Sequence, residues 1–325
     1  MKSMLTIANK SNSEDFLNFA YKNDIRDFRV NMAYEEDALR AIERLRALPR
    51  DIRVFVDYPA EKQRLQLPNH FAEKEFSLGE NVMLSVITNG GLYISNIHMM
   101  DKILPGHCVS FADGKVIGEV VDRSENQVII RILKGGVLRN NAGCCFVGKN
   151  VPSPSITKEY CKSILYSEPL VSHNPFTTWV ILSFANDVES IEDFVKEMHK
   201  RSIYVMAKIE TPNAVTNLKQ ISTVVDGIMI GRGDLKNISG DDYLCNYYLA
   251  LSILAGLPAS LYKGIGTFFL LNYAMSMKLE DADINDFRLA EESGSDFIMF
   301  SKEVVNSNYP RETVILANKI LRKEI

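Results

Sequence analysis

The chain alternates short apolar runs with amphipathic stretches at both of its ends, and this alternation restricts the fold more than any other feature. Residues 54–56, Val-Phe-Val, form a continuous apolar run of the kind that becomes a buried strand. Residues 35–48 carry apolar side chains at helical spacing. Because strands and helices recur in turn, the pattern is typical of a parallel α/β fold.

Counting these strand–helix units gives three before residue 65 and five after residue 154, and eight units close a barrel. We therefore predict an α/β protein with a (β/α)8 TIM barrel, formed by residues 1–64 and 154–325. The expected barrel strands are residues 4–7, 28–32, 54–56, 179–184, 204–207, 227–230, 259–261 and 297–300.

The middle of the sequence has a different pattern of apolar and turn-forming residues. Between residues 65 and 153, short β-branched runs are separated by turn-forming segments such as Asn-Gly-Gly at 89–91 and Lys-Gly-Gly at 134–136. Helical periodicity is scarce here. We predict a small inserted all-β domain, a barrel or a sandwich, that acts as a mobile lid. The alternative is that these strands join the main sheet.

Composition argues against several classes of function. The formal net charge is −4, so we expect no nucleic-acid partner. No apolar run approaches the roughly 20 residues that span a bilayer, and the amino terminus lacks the apolar core of a signal peptide. We expect a cytoplasmic protein without a membrane partner. The five cysteines and five histidines lack metal-ligand spacing, which argues against a zinc site.

Polar residues just past each predicted strand are the candidate site residues, because barrel active sites lie where the strands end. Glu210 and Asp234 follow neighbouring strands and offer the oxygen ligands that Mg²⁺ prefers. Arg29, Arg64 and Lys208 are cations that could neutralise a phosphate or a developing enolate. The other strand-end candidates are Asn31, Asp57, Ser183, Arg232, Thr267, Ser301 and Glu303.

Each of these signals also has a purely structural interpretation. A strand-end Arg or Lys commonly pairs with a neighbouring carboxylate, and an Asp after a strand commonly caps a helix. The Gly-Arg-Gly-Asp segment at 231–234 lies between a predicted strand and a predicted helix, where backbone N–H groups can receive an anion. The Gly-Ile-Gly segment at 264–266 resembles a phosphate-cradling turn, although glycine pairs in loops are commonly only turns. Together, on one barrel face, the signals favour metal-assisted chemistry on an anion.

Two motifs in the second half of the chain resemble the pyruvate kinase family. Residues 206–211 read Met-Ala-Lys-Ile-Glu-Thr, and residues 225–235 read Val-Asp-Gly-Ile-Met-Ile-Gly-Arg-Gly-Asp-Leu. That family has I-A-K-I-E and D-G-I-M-V-A-R-G-D-L at this spacing. Weaker matches to the family's motifs occur at residues 28–31, 57–64, 135–138, 179–184, 296–303 and 309–310. The resemblance therefore covers nearly the whole chain.

The resemblance implies a phosphotransferase that moves a phosphoryl group between phosphoenolpyruvate and a nucleoside diphosphate, with Mg²⁺ or Mn²⁺ as cofactor. Lys208 and Arg29 would be catalytic, and Glu210 and Asp234 would ligate the metal. The implied substrate-binding residues are Arg29, Gly233, Asp234 and Thr267, and the implied nucleotide-binding residues are Asn31 and Arg64. Lys62 falls where some family members have a glutamate and others a lysine, and the lysine type resembles the members that work without K⁺. The resemblance therefore implies that Lys62 substitutes for a monovalent cation.

The departures from the family concern mainly the nucleotide. Ala33 and Tyr34 replace a Ser-His pair, which removes a potassium ligand and a nucleotide contact, and Ala142 falls where a nucleotide-contacting lysine is expected. The substrate threonine aligns with Thr267 if four residues are inserted before it, and is otherwise replaced by Lys263. We expect the family's C-terminal effector domain to be absent and the chain to be a monomer or a small homo-oligomer.

Three functional hypotheses follow. The leading one is phosphoryl transfer between phosphoenolpyruvate and a nucleoside diphosphate, with pyruvate and a nucleotide as the other partners of the reaction. The second is an enzyme that keeps the metal-bound enolate chemistry but uses another acceptor, either a non-nucleotide kinase or a lyase, and the lost nucleotide contacts motivate it. The third is a non-catalytic regulatory protein that binds phosphoenolpyruvate. Against the third stands the joint retention of Lys208, Glu210 and Asp234.

Overall fold

The computed structural model describes the chain except residues 61–62, 69–70, 87–90, 96–101, 113, 148–150, 152 and 172–176. Backbone contacts group the chain into two compact units, one of Met1–Ala60, Ile156–Gly233 and Cys245–Ile325, and one of Glu61–Ser155 with Asp234–Leu244. The domain bounds 1–64, 65–153 and 154–325 remain a prediction. No helix in the described ranges is long and apolar enough to cross a membrane.

The secondary structure follows the predicted order. The described strands are β1 (Lys2–Thr6), β2 (Asp27–Asn31), β3 (Arg53–Tyr58), β4 (Arg64–Gln66), β5 (Glu73–Phe76), β6 (Asn81–Ser85), β7 (Tyr93–Ser95), β8 (Cys108–Phe111), β9 (Val116–Arg123), β10 (Gln127–Lys134), β11 (Gly136–Arg139), β12 (Ala142–Val147), β13 (Thr177–Leu182), β14 (Tyr204–Ile209), β15 (Gly227–Gly231), β16 (Tyr262–Gly266) and β17 (Phe297–Phe300). The described α-helices are α1 (Glu14–Lys22), α2 (Glu35–Leu45), α3 (Lys158–Ile164), α4 (Glu168–Val171), α5 (Val188–Lys200), α6 (Pro212–Ile221), α7 (Arg232–Ser239), α8 (Tyr243–Ala255), α9 (Leu271–Ser276), α10 (Asp281–Glu292), α11 (Lys302–Val305) and α12 (Pro310–Leu321).

In the larger unit, eight parallel strands of the described chain close a barrel in the order β1-β17-β16-β15-β14-β13-β3-β2. The strands are buried along most of their length because helices cover the outside of such a barrel. Apolar side chains fill its interior, so the barrel is a packed core and its chemistry is confined to the strand ends. These interior residues are Met4, Phe55, Trp179, Ile181, Met206, Met229, Phe297 and Met299. The predicted TIM barrel is confirmed.

One predicted strand was wrong. Residues 259–261 are not a strand, and the seventh barrel strand is β16, which begins at Tyr262. The glycines of the 264–266 segment therefore belong to a strand and not to a phosphate-binding turn. Gly264 is required by packing, because a Cβ atom there would lie 2.3 Å from Cζ of Phe297. Because residue 264 has no side chain, the ring of Phe297 on the neighbouring strand β17 can pack directly against the backbone of β16.

The smaller unit contains its own closed barrel, in the order β10-β6-β7-β4-β12-β8-β9, and a two-stranded sheet of β5 and β11. In β9, buried and partly exposed residues alternate with the period of two that a half-buried strand requires. The buried residues of these strands form an apolar core of their own, distinct from the interior of the eight-stranded barrel, and this core includes Leu65, Phe111 and Phe146. The separate small β-domain is thus confirmed, and the alternative in which its strands join the main sheet is wrong.

Candidate functional site

Four charged side chains gather where the barrel strands end. Arg29 lies in β2, Asp57 in β3 and Lys208 in β14, and Glu210 follows β14 directly. Their exposed fractions are only 1–8%. Charged groups this deeply buried are stable only when they are paired and hydrogen-bonded. We call these four residues the charge cluster.

The charge cluster alternates cations and anions. Arg29 donates from Nε to Oδ2 of Asp57 at 2.7 Å, and its second guanidinium nitrogen lies 2.7 Å from the same oxygen. The ammonium of Lys208 lies 3.3 Å from Oδ2 of Asp57 and 2.9 Å from Oε1 of Glu210. Ser183 accepts a hydrogen bond from Lys208 at 3.0 Å and donates one to Oδ1 of Asp57 at 3.0 Å. The formal charges of the cluster sum to zero.

Asp57 is the central anion, and it remains ionised. Burial by itself raises the pKa of this carboxyl, but the charges of Lys208 and Arg29 and the hydrogen bonds from Arg29 and Ser183 outweigh burial and lower it. The strand-end rule, which takes polar residues just past each predicted strand as site candidates, selected Asp57 and Ser183 but gave neither a role. The sequence signal for Asp57 is its position after the predicted strand at 54–56, although the observed β3 extends through it, and Ser183 follows β13. Only the side-chain geometry shows that these two residues link the two cations.

The side chain of Glu210 is held in position by its neighbours on β15 and by the residue after Ser183. The parallel register pairs Ile209 with Ile230, so Glu210 lies beside Gly231 at the end of β15. A Cβ atom on Gly231 would lie 2.6 Å from Cγ of Glu210, so only glycine leaves room for this side chain. The backbone N–H of Phe184 donates to Oε2 at 3.0 Å. Phe184 has a φ of +55°, a left-handed conformation that is uncommon for a bulky residue and is found at functional sites.

The carboxylate of Glu210 fits a role as a ligand for Mg²⁺ or Mn²⁺. Its Oε2 accepts from the N–H of Phe184 and its Oε1 lies 2.9 Å from the ammonium of Lys208, so these contacts orient the carboxylate oxygens. Asp234, the other predicted ligand, is the third residue of α7. The described part of the chain contains no group of three or more His, Cys, Asp or Glu side chains arranged for a metal. A small number of protein carboxylates suits Mg²⁺, which usually keeps water and substrate oxygens as its other ligands.

Thr267 lies at the carboxyl end of β16, one residue beyond the strand. A Cβ atom on Gly233 would lie 3.8 Å from Oγ1 and Cγ2 of Thr267, so the two residues are neighbours. Lys263 is the second residue of β16, and its ammonium donates to the carbonyl of Leu257 at 3.3 Å. Of the two residues that the sequence left open, the structure brings Thr267 next to Gly233 and places Lys263 near the other end of the strand.

The predicted nucleotide residues lie in both units. Asn31 ends β2, and its side-chain oxygen accepts a hydrogen bond from the N–H of Ala33 at 3.0 Å, which starts a short 3-10 turn. Arg64 begins β4 of the smaller unit and donates to the carbonyl of Asn141 at 3.2 Å. Lys62 lies outside the described residues. Ala142 begins β12.

Comparison with known proteins gives a consistent result. The family described as "Pyruvate kinase, barrel domain" matches residues 5–250. The pyruvate kinase of Methylorubrum extorquens is 25% identical over 334 residues, which cover 98% of this chain and 67% of the relative. The pyruvate kinase of Thermococcus litoralis is 26% identical, over 99% of this chain and 69% of the relative. Pyruvate kinase 2 of Synechocystis sp. is 24% identical, over 99% and 56%.

Proposed function

Because the chain belongs to the pyruvate kinase family, we propose that it transfers a phosphoryl group between phosphoenolpyruvate and a nucleoside diphosphate, with Mg²⁺ or Mn²⁺. The charge cluster is the observation that carries the proposal. It combines two buried cations, Arg29 and Lys208, with a buried carboxylate, Glu210, that lies 2.9 Å from the ammonium of Lys208. Phosphoryl transfer depends on positioning and charge stabilisation rather than on covalent chemistry, and a fixed set of charges suits it.

Lys208 would act on the charge that develops during transfer. Its ammonium is held by Asp57, Ser183 and Glu210, so it is oriented before substrate binds. A preorganised cation of this kind stabilises a transition state more than a ground state, because no reorganisation is needed during the reaction. Arg29 would contact the phosphoryl group, since its guanidinium can share its donors between Asp57 and a phosphate oxygen.

The start of α7 would bind the carboxylate of the substrate. The first N–H groups of a helix have no intrahelical partner, and Gly233 and Asp234 are the second and third residues of α7. Thr267 next to Gly233 would add a hydroxyl group. Glu210 and Asp234 would hold the divalent cation. When it is bound, the metal neutralises phosphate and enolate oxygens as a Lewis acid.

Asn31 and Arg64 are the proposed nucleotide contacts, and this half of the site supports a second candidate function. Tyr34 and Ala142 stand where the family resemblance leads us to expect nucleotide-contacting residues of other types. An enzyme with another phosphoryl acceptor, or a lyase that acts on a pyruvate-like enolate, would retain the charge cluster and lose these contacts. A non-catalytic phosphoenolpyruvate-binding protein is the third possibility.

A single set of assays separates the three functions. Phosphoenolpyruvate and Mg²⁺ are incubated with ADP, GDP, UDP and CDP in turn, and pyruvate and nucleoside triphosphate are both quantified. We expect equal amounts of the two products with at least one diphosphate. Pyruvate without triphosphate would favour another acceptor or bond. No turnover, with Mg²⁺-dependent binding of phosphoenolpyruvate in calorimetry, would leave the regulatory role.

A further inference from the structure

The sequence grouped Arg232 with the strand-end site residues, but its guanidinium is buried against the loop after β16 and against α10. It is the first residue of α7 and is 2% exposed. Its Nε donates to the carbonyl of Gly266 at 3.3 Å, and a terminal nitrogen donates to the carbonyl of Thr267. The other terminal nitrogen lies 2.9 Å from Oδ2 of Asp286 in α10. One side chain therefore joins the start of α7, the end of β16 and α10.

Aromatic rings enclose this guanidinium. The centre of the guanidinium lies 4.3 Å from the ring centroid of Phe269, 5.5 Å from that of Phe268 and 5.8 Å from that of Tyr247. A guanidinium stacks well on such faces, and hydrogen bonds shielded from water are stronger than exposed ones. The position of Arg232 is thus fixed by rings as well as by hydrogen bonds.

The loop that Arg232 contacts has an unusual backbone. Thr267, Phe268 and Leu270 have φ values of +66°, +70° and +52°. The left-handed conformation is rare for non-glycine residues, and a β-branched residue such as Thr267 is an outlier there. Such a conformation persists only where the surrounding structure holds it. Arg232 binds the carbonyl of Gly266, which precedes the first left-handed residue, and the carbonyl of that residue, Thr267, itself.

The same contacts reach the proposed carboxylate site. Thr267 lies next to Gly233, which follows Arg232 in the chain. The hydroxyl of Thr267 donates to the carbonyl of Gly266 at 2.7 Å, and Arg232 donates to that same carbonyl. Because Arg232 would keep this carbonyl satisfied, the hydroxyl can turn to a ligand oxygen without leaving a buried acceptor unpaired.

We propose that Arg232 is a positioning residue that fixes the Thr267 hydroxyl beside the Gly233 N–H, so that the two bind a substrate carboxylate together. Asp286 holds the guanidinium in its orientation. This inference rests on the proposed function, because it takes phosphoenolpyruvate as the ligand. It gives Arg232 a role in substrate affinity without contact with the substrate.

The test compares Arg232→Met and Arg232→Lys with Arg53→Met as a matched control. Arg53 also pairs with a buried carboxylate, Asp27 at 2.6 Å, and also stacks on a ring, that of Tyr262 at 4.5 Å. It opens β3, at the end of the barrel opposite the charge cluster. Each variant is measured for KM and kcat with phosphoenolpyruvate, for Mn²⁺ affinity, for melting temperature and for hydrogen exchange in the loop at 266–271.

We expect Arg232→Met to raise KM for phosphoenolpyruvate by about ten-fold or more, to accelerate exchange in the loop and to leave Mn²⁺ affinity unchanged. Arg232→Lys should recover part of the KM effect, because one ammonium replaces some but not all of the guanidinium donors. Arg53→Met should lower the melting temperature and leave KM unchanged. Thr267→Val should add little to the KM effect of Arg232→Met, since both remove the same contact.

The inference alone would be overturned by an unchanged KM in a folded Arg232→Met variant or by unchanged hydrogen exchange in the loop at 266–271. Fully additive effects of Arg232→Met and Thr267→Val would also overturn it, because they would place the two residues in independent roles. A wild-type protein that binds no phosphoenolpyruvate in the presence of Mg²⁺ would overturn the proposed function, and the carboxylate assignment with it.

Discussion

Replacing Lys208 by Met is the substitution that separates catalysis from packing most clearly. Met keeps the length and apolar stem of the side chain and removes only the ammonium, which contacts Asp57, Ser183 and Glu210 at 2.9–3.3 Å. Asp57 keeps its partner Arg29 after the change. Glu210 keeps the N–H of Phe184.

The expected effects on rate and on stability have different origins. Loss of one electrostatic contact made in the transition state costs about 2.7–4 kcal/mol, or roughly a hundred- to a thousand-fold in kcat. Removing one partner of a buried ion pair costs about 3–5 kcal/mol of folding free energy. Since each kcal/mol lowers the melting temperature by roughly 2–4 °C in domains of 150–250 residues, we expect Tm to fall by about 6 °C or more.

Lys263→Met is the matched control. Lys263 is as buried as Lys208, at 6% against 7% exposed, but its ammonium contacts the carbonyl of Leu257 and not the charge cluster. The assay measures kcat, the affinity for phosphoenolpyruvate and Tm on both variants, well below either melting temperature. Lys208→Met should lose turnover and keep phosphoenolpyruvate binding within a few-fold, whereas Lys263→Met should lower Tm alone. A folded Lys208→Met protein with near-normal kcat would refute the role given to Lys208.

Three further predictions follow from the charge cluster and its neighbours. Glu210→Gln should weaken Mn²⁺ binding at least ten-fold in calorimetry, because an amide is a poorer ligand than a carboxylate; an unchanged affinity would remove Glu210 from the metal site. Asp57 has a lowered pKa in the folded state, so its contribution to stability is present above the unfolded pKa of about 3.9 and is lost as the pH falls below it. The difference in Tm between wild type and Asp57→Asn should therefore be largest near neutral pH and shrink below about pH 4, and a difference independent of pH would contradict this. Activity should not require K⁺, because the family resemblance implies that Lys62 would substitute for the monovalent cation and that Ala33 replaces a potassium ligand; a large rate increase when KCl is added to a potassium- and sodium-free assay would argue against it.

The fold was predictable because parallel strands covered on both faces give continuous apolar runs that sequence periodicity detects. The prediction failed at β16, where Lys263 and the glycines at 264 and 266 interrupt the apolar run. Gly264 leaves room for the ring of Phe297, and these two residues are far apart in the sequence. Local pattern carries no information about such a contact.

Part of the candidate site was predictable for the same reason. The strand-end rule found Arg29, Lys208 and Glu210, because the ends of parallel strands meet at one edge of the barrel. It could not show that Asp57 links two of them, since that depends on side-chain geometry across several strands. Neither could it separate Arg232, whose polar side chain is buried against the Thr267 loop, from residues that face a substrate.

We propose that the charge cluster supports phosphoryl transfer from phosphoenolpyruvate. The most direct measurement is the rate at which the purified wild-type chain forms pyruvate and nucleoside triphosphate from phosphoenolpyruvate, Mg²⁺ and a panel of nucleoside diphosphates, with Lys208→Met assayed in parallel. We predict stoichiometric formation of both products by the wild type with at least one diphosphate, and a rate at least a hundred-fold lower for Lys208→Met. No turnover with any diphosphate, or equal rates for the two proteins, would contradict the claim.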